Sequence, residues 1–355
     1  MLGRAAHLMI GSAAAAVDRA ATLAAKAQFR GRRLKNKSES LGHEERLRLL
    51  GELKALYPPE VCAAYFREPR AIIPAERTLK SKGESRVVDV SWASDYEPLL
   101  SDVAPRYTRH IENHVAAARL FVSGRPRPIA ILVHGYMAGQ FAIEQHVWPV
   151  ELLNSLGFDV ALFVLPFHGV RSVATRNVPP FPGSDPRISN EGFRQAIGDL
   201  RDFIRWLRER GHREVGVAGM SLGGYTAALA ATVESDLAFS IPIIPLASLA
   251  DWARDQGRLG QHPEQTALQH RALEAVHEVV SPLHRPPLIA PERVLVIAAK
   301  ADRITPIQHA MRLSRHFNAR LQTMPGGHLL QIGRAESFRQ LGHFLVELGL
   351  GQRPR

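Results

Sequence analysis

EVGVAGMSLGGYTAALAATV, residues 214–233, opens as an apolar, β-branched run, breaks at Gly219-Met220-Ser221-Leu222-Gly223-Gly224, and continues as a helix of small residues. A serine at such a join must occupy a very tight turn. The flanking glycines let the backbone pass without a Cβ clash, so the hydroxyl stands clear of a sheet. The G-x-S-x-G pattern by itself is a weak signal; the strand before it and the helix after it supply the setting that the pattern requires.

Outward from this stretch the chain alternates. Upstream lie the strands RVVDVSW (86–92), HVAAARLFVSG (114–124), IAILVHG (129–135) and DVALFVLP (159–166), then a long amphipathic helix, EGFRQAIGDLRDFIRWLRER (191–210). Downstream come the strand FSIPIIP (239–245), a helical interlude, RVLVIAAK (293–300), the helix PIQHAMRLSRHF (306–317), the strand ARLQTMP (319–325) and a closing helix from about 335 to 348. Continuous apolar runs separated by helices predict an α/β fold whose parallel strands are buried on both faces.

A serine hydroxyl is a poor nucleophile at neutral pH and needs a base, itself oriented by a third group. Asp302 follows a strand in KADRITP, and His328 follows the next strand in MPGGHLL, where Gly326 and Gly327 permit a sharp loop. Ser221, Asp302 and His328 therefore stand in the order serine, acid, histidine, each at the carboxyl end of a strand. A tetrahedral intermediate also needs N–H donors aimed at its oxyanion. The backbone amides of Tyr136, after the strand IAILV, and of Leu222, after the serine, are assigned that role, with His134 shaping the loop.

These motifs resemble the α/β-hydrolase superfamily: HGYMAG, GMSLGG, the Asp302 turn and GGH match its oxyanion loop, nucleophile elbow, acid loop and histidine loop in order. The resemblance implies the α/β-hydrolase fold, with a mostly parallel sheet flanked by helices. It also implies serine-based acyl transfer to water with no metal and no organic cofactor. Many members write the loop after the fourth strand as Asp-x-x-Gly-x-Gly-x-Ser; here it reads Pro166-Phe167-His168-Gly169-Val170-Arg171-Ser172, which resembles a less characterised abhydrolase-domain branch. Arg171 and Phe167 are the expected substrate contacts, Arg171 pairing with an anionic group; the alternative for Arg171 is bonding to local carbonyls. NVPPFPGSDPRIS (177–189) reads as a stiff loop near the pocket mouth, and residues 246–290 as a small cap insertion, with Trp252 at its entrance or packed.

Composition bounds the rest. In 355 residues, 45% hydrophobic and 22% charged residues describe a globular chain, and the single cysteine, Cys62, excludes an internal disulfide and a thiolate zinc cage. The net charge is +11, and residues 1–82 hold 16 Lys and Arg against 8 Asp and Glu. Residues 1–84 are expected to form a helical basic extension and residues 85–355 the hydrolase domain. No run reaches the roughly eighteen apolar residues of a membrane span. The first 17 residues resemble a signal peptide only thinly, since His7 interrupts them, so a retained helix and a cytoplasmic location are expected. Leu2, Met9, Ala16, Ala20 and Leu23 fall broadly on one side of that helix, and RGRRLKNK (30–37) follows it. Residues 1–37 are thus expected either to meet an anionic membrane surface or to pack on the hydrolase body. No nucleic-acid recognition motif accompanies the basic charge. The expected activity is hydrolysis of a carboxylic ester, of a small molecule or a lipid. A thioesterase or peptidase is the alternative within the class, and a catalytically silent, membrane-associated scaffold the alternative outside it.

Overall fold

The computed structural model describes residues 11–23, 41–173 and 178–352. Its centre is one nine-stranded sheet among the described residues, in the order β1-β2-β3-β5-β4-β6-β7-β8-β9. The strands are β1 (Ala75–Lys82), β2 (Ser85–Ala93), β3 (Val115–Val122), β4 (Ile129–Val133), β5 (Asp159–Phe163), β6 (Val215–Met220), β7 (Ser240–Ile243), β8 (Leu295–Ala299) and β9 (Arg320–Met324). From β5 to β9 the pairings are parallel; β1, β2, β3 and β5 pair antiparallel.

Alternation along the central strands divides the core into two layers. Ile129, Ile131 and Val133 of β4, with Val215 and Val217 of β6, face one apolar cluster; Ala130, Leu132, Ala218 and Met220 face the other. Successive strand residues point to opposite faces, so a strand buried on both must be apolar, as β4, β6 and β8 are throughout and β5 is after Asp159. The helix Pro186–Glu209 covers the first layer with Phe193, Phe203 and Trp206; it starts where the Asp185 carboxylate accepts the Arg187 N–H at 3.0 Å and Pro186 presets the first turn. The helix Arg334–Glu347 covers the second with Phe338 and Phe344.

The N-terminal boundary differs from the expectation. Strand β1 lies inside the segment read as an extension, so the sheet begins at Ala75 rather than at residue 85. Its sequence, AERTLKSK, carries no apolar alternation because every residue is exposed. It is an edge strand, and its lysines discourage pairing with another chain. Residues 41–73 are likewise bound into the fold. Leu50 of the helix His43–Ala55 shares the core with Val276, and Arg46 donates to Gln269 Oε1 at 3.2 Å, tying that helix to the helix Pro263–His277 between β7 and β8. Trp252, also between β7 and β8, lies half-buried under the Arg258 guanidinium, 4.3 Å from the ring centroid.

The helix over residues 11–23 docks against the loops that follow β8 and β9. Ala14, Ala15 and Asp18 are buried, Ala14 and Ala15 in a cluster with Ala301; Ala16, Ala20 and Leu23 face outward. The basic stretch 30–37, with Leu2 and Met9, lies outside the described residues.

Asp202 shows how firmly the N-terminal segment is held. Its carboxylate, buried on the helix Pro186–Glu209, accepts from both Arg67 terminal nitrogens, at 2.5 and 2.7 Å, and from the Arg70 N–H at 2.6 Å. A two-pronged Arg–carboxylate pair is among the stronger polar contacts, and removing one partner strands the other. Because Arg67 keeps some solvent access, Asp202→Ala should lower unfolding free energy by about 3 kcal/mol, the lower end of the cost of breaking a buried pair. Urea denaturation followed by circular dichroism measures it.

Candidate active site

Strand β6 ends at Met220, and the helix Leu222–Ala230 begins one residue after Ser221, which the turn holds at φ 56°, ψ −111°. Few L-residues adopt this conformation, and it persists because the surroundings fix it. The Ser221 N–H donates to Ile243 O at 2.9 Å, while the Leu246 and Tyr225 amides donate to its carbonyl. Close approach explains the flanking glycines. A Cβ on Gly219 would stand 2.0 Å from Gly223 O, and one on Gly223 would stand 2.0 Å from Val133 O, in both cases against backbone.

The three residues expected from the sequence meet here. His328 Nε2 lies 3.0 Å from Ser221 Oγ, and His328 Nδ1 lies 2.7 Å from Asp302 Oδ2. The carboxylate is itself fixed: Asp302 Oδ1 accepts from the Ile304 and Thr305 amides, each at 2.8 Å. Thr305, which no sequence motif singles out, places its hydroxyl 3.0 Å from both Asp302 Oδ2 and His328 Nδ1 and 3.1 Å from Ile244 O. An acidic residue followed three positions later by threonine was the available signal, but it is common to many turns. With Nδ1–H directed at the carboxylate, the Nε2 lone pair faces the serine.

The loop after β4 abuts the nucleophile, since a Cβ on Gly135 would come within 3.5 Å of Ser221 Cβ. Tyr136 follows in that loop, its hydroxyl donating to Pro179 O at 3.2 Å. Leu222 is the first residue of its helix, a position whose N–H has no intrahelical acceptor. Beneath the loop, His134 is a brace: its Nε2 accepts the Leu165 N–H at 3.1 Å, so Nδ1 carries the proton that Gly135 O accepts at 2.7 Å. Burial lowers the His134 pKa to about 4. His168 packs against it at 5.2 Å, and burial lowers its pKa to about 3, with the neighbouring His134 and Arg171 acting in the same direction.

The expected substrate contacts are corrected. Arg171 is fully buried; its Nη2 pairs with Asp199 Oδ2 at 2.8 Å and donates to Asn113 O at 3.0 Å, while Nη1 donates to Val164 O at 3.3 Å. The guanidinium clamps the loop from within. Phe167, at φ 63°, turns inward as well and meets Tyr107 and His110 edge-on at 4.8 and 5.2 Å. Large hydrophobic side chains exposed on the loop after β4 and on the histidine loop are Tyr136, Met137, Leu329 and Leu330. Among the described residues no group of three or more His, Cys, Asp or Glu is placed to hold a metal ion.

With this geometry in hand, comparison with known proteins is informative. The family model described as alpha/beta hydrolase domain containing 18 matches residues 38–257, more than half of the chain. The chain belongs to that family. A second model, of an uncharacterised protein family, matches residues 190–345, which include Ser221, Asp302 and His328. Two uncharacterized proteins of Mycobacterium tuberculosis, from strains CDC 1551 and H37Rv, are each 31% identical over 228 residues. Those matches span 63% of this family member and 55% of the relatives, so the chain matches only about half the length of these curated relatives. Among solved structures, acetyl xylan esterase 1 from Thermoanaerobacterium sp. JW/SL YS485 superposes with a TM-score of 0.54 at 16% identity, covering 84% of this chain and 98% of that one. The acetyl xylan esterase from Paenibacillus sp. R4 gives 0.53 at 14%, covering 81% and 99%. At these identities the likeness establishes a shared fold, the α/β-hydrolase fold.

Two outcomes are expected. Arg171→Leu would leave the Asp199 carboxylate buried without its partner and should cost about 3–5 kcal/mol in urea unfolding. KM for neutral and anionic esters should then move by the same factor, because the guanidinium does not meet the substrate. The second outcome concerns acid. His134 and His168 stay neutral in the folded protein, whereas in the unfolded chain they bind protons below about pH 6.5. The unfolded state therefore takes up more protons as pH falls. Stability should be fully present above about pH 6.5 and decline toward pH 4, by up to about 1.4 kcal/mol per pH unit for each histidine. Urea midpoints measured at intervals from pH 7 to 4 test this; in His134→Gln the slope should be shallower.

Proposed function

We propose that this protein is a serine hydrolase that cleaves a carboxylic ester through an acyl-enzyme on Ser221. The observation that carries the reading is the Ser221 Oγ to His328 Nε2 distance of 3.0 Å, continued by 2.7 Å from His328 Nδ1 to Asp302. Ser221 Oγ attacks the ester carbonyl carbon as its proton passes to His328 Nε2. The carbonyl oxygen becomes an oxyanion, and in this reading the Tyr136 and Leu222 amides donate to it. Collapse expels the alcohol, which takes the proton from Nε2. Water, deprotonated by the same nitrogen, then attacks the acyl carbon, releases the carboxylic acid and restores Ser221. Asp302 holds the imidazole tautomer and stabilises the imidazolium.

The substrate class is a small-molecule or lipid ester, and the apolar side chains of Met137, Leu329 and Leu330 beside the nucleophile and histidine loops favour an acyl or alcohol portion with hydrocarbon character. A thioester would undergo the same sequence of bond changes. No helix among the described residues is long and apolar enough to cross a membrane. For the N-terminal helix, the burial of Ala14, Ala15 and Asp18 supports packing on the hydrolase body, and a membrane-surface role would fall to its outward side, where Leu23 is 65% exposed.

A fluorophosphonate probe should label Ser221, with the modified peptide identified by mass spectrometry. Ser221→Ala should abolish labelling and p-nitrophenyl ester turnover while leaving the thermal transition in place. His328→Ala should lower kcat about as far, and Asp302→Asn should retain more activity because the base remains. Turnover by pure Ser221→Ala protein at the wild-type rate would overturn the assignment.

A further inference from the structure

We propose that Asp18, on the N-terminal helix, is a positioning residue for the reaction centre: its carboxylate fixes the backbone of the acid loop and of the histidine loop together. This inference rests on the reading of Ser221, His328 and Asp302 as the reacting group. The Asp18 side chain is fully buried. Oδ2 accepts the His328 N–H at 2.7 Å and the Arg303 N–H at 3.1 Å, and Oδ1 accepts the Leu329 N–H at 3.0 Å. One carboxylate thus binds the residue immediately after Asp302, His328 itself, and the residue immediately after His328.

The contact is built for closeness. A Cβ on Gly327 would stand 2.7 Å from Asp18 Oδ2 and 3.1 Å from Ala14 O, so the helix can reach the histidine loop only because that position has no side chain. Ala14 and Ala15 keep the helix surface low where it meets Ala301. N–H bonds to an ionised carboxylate are shorter and stronger than neutral ones, and three of them converge on a group that solvent does not reach. Within the histidine loop, the Gly326 and Gly327 amides bond to Ile332 O and Leu330 O, which shape the turn without anchoring it to the acid loop. The Ala301 N–H also donates to Gly326 O at 3.0 Å, and Asp302 and Thr305 reach the imidazole. Asp18 supplies a further tie at the level of the main chain.

Misplacing a catalytic group by about 1 Å costs on the order of 100-fold in rate. With the full-length chain, Asp18→Ala should lower kcat for a p-nitrophenyl ester by about 10- to 100-fold and leave KM within about twofold, because the substrate is not touched. Asp18→Asn should recover part of the loss: its amide oxygen can still accept from His328 and Arg303, while its NH2 opposes the Leu329 N–H. The spectroscopic readout is the far-downfield proton resonance of the His328 Nδ1–H bonded to Asp302, expected to broaden or vanish in Asp18→Ala. Ala15→Gly, which weakens the same helix but keeps the carboxylate, should lower the Tm while kcat stays within about twofold of wild type. If Asp18→Ala, assayed well below its Tm, keeps both the wild-type kcat and the His328 resonance, the proposal is overturned; it is overturned equally if Ala15→Gly loses kcat to the same extent. Should Asp18→Ala fail to fold, Asp18→Asn carries the same two readouts. Absence of labelling and turnover in the wild-type protein would instead remove the proposed hydrolase reading, while the resonance would still report whether Asp18 holds the histidine.

Discussion

Everything at the centre of this molecule depends on the main chain of β4 meeting the first turn of the helix Leu222–Ala230 with no side chain between them. Gly223 faces Val133 O, and Gly219 faces Gly223 O, at distances that exclude even a methyl group. That approach forces Ser221 into the left-handed region and lifts its hydroxyl out of the helix, toward the histidine loop. It also brings the loop after β4 against Ser221 Cβ. One steric constraint thereby places Ser221 and the loop after β4 at the same edge of the sheet, and the polar brace of His134 keeps that loop from relaxing.

Below the site, the polar groups form a second, buried layer. Arg171, Asp199, Asn113, Gln195 and Ser94 bond to one another where β3, the loop after β5 and the helix Pro186–Glu209 converge. Burial pushes the Asp199 carboxyl up from its ordinary range, and the Arg171 guanidinium opposes that shift. Such a network gains little in net stability over an apolar one, but it allows few alternative geometries, which suits a loop that must hold its shape under the nucleophile.

The legible parts of the chain are those whose cause is local. Strands β4, β5, β6 and β8 were visible because burial on both faces demands apolar runs, broken here only by Asp159 at the start of β5, and the elbow was visible because its glycines lie within three residues of the serine. Ser221, Asp302 and His328 could be expected at one sheet edge because each follows a parallel strand. Strand β1 was hidden, since an edge strand exposed along its length needs no apolar pattern. Arg171 could be read two ways, and the structure takes the local-carbonyl one, with Asn113 O and Val164 O; its pairing with Asp199, 28 residues later, had no cue because the local sequence does not specify which side of that helix faces it. The role of Asp18 had no local cue at all: an aspartate among alanines reads as a solvated residue until the loops it binds are seen.

That last contact spans the chain, from residue 18 to residues 303, 328 and 329. Synthesis runs from the N-terminus, so the helix that bears Asp18 leaves the ribosome long before the loops that satisfy it exist. Until then its carboxylate remains hydrated and the Ala14–Ala15 face stays uncovered. The two ends can close only after β8 and β9 have joined the sheet, and the entropy of closing so long a loop makes this one of the slower contacts to form. The arrangement orders assembly: elbow and central strands can form first, and the histidine loop gains this anchor only when the earlier-made helix folds back onto the loops after β8 and β9. A nascent or truncated chain would thus hold its serine well before it could hold the base.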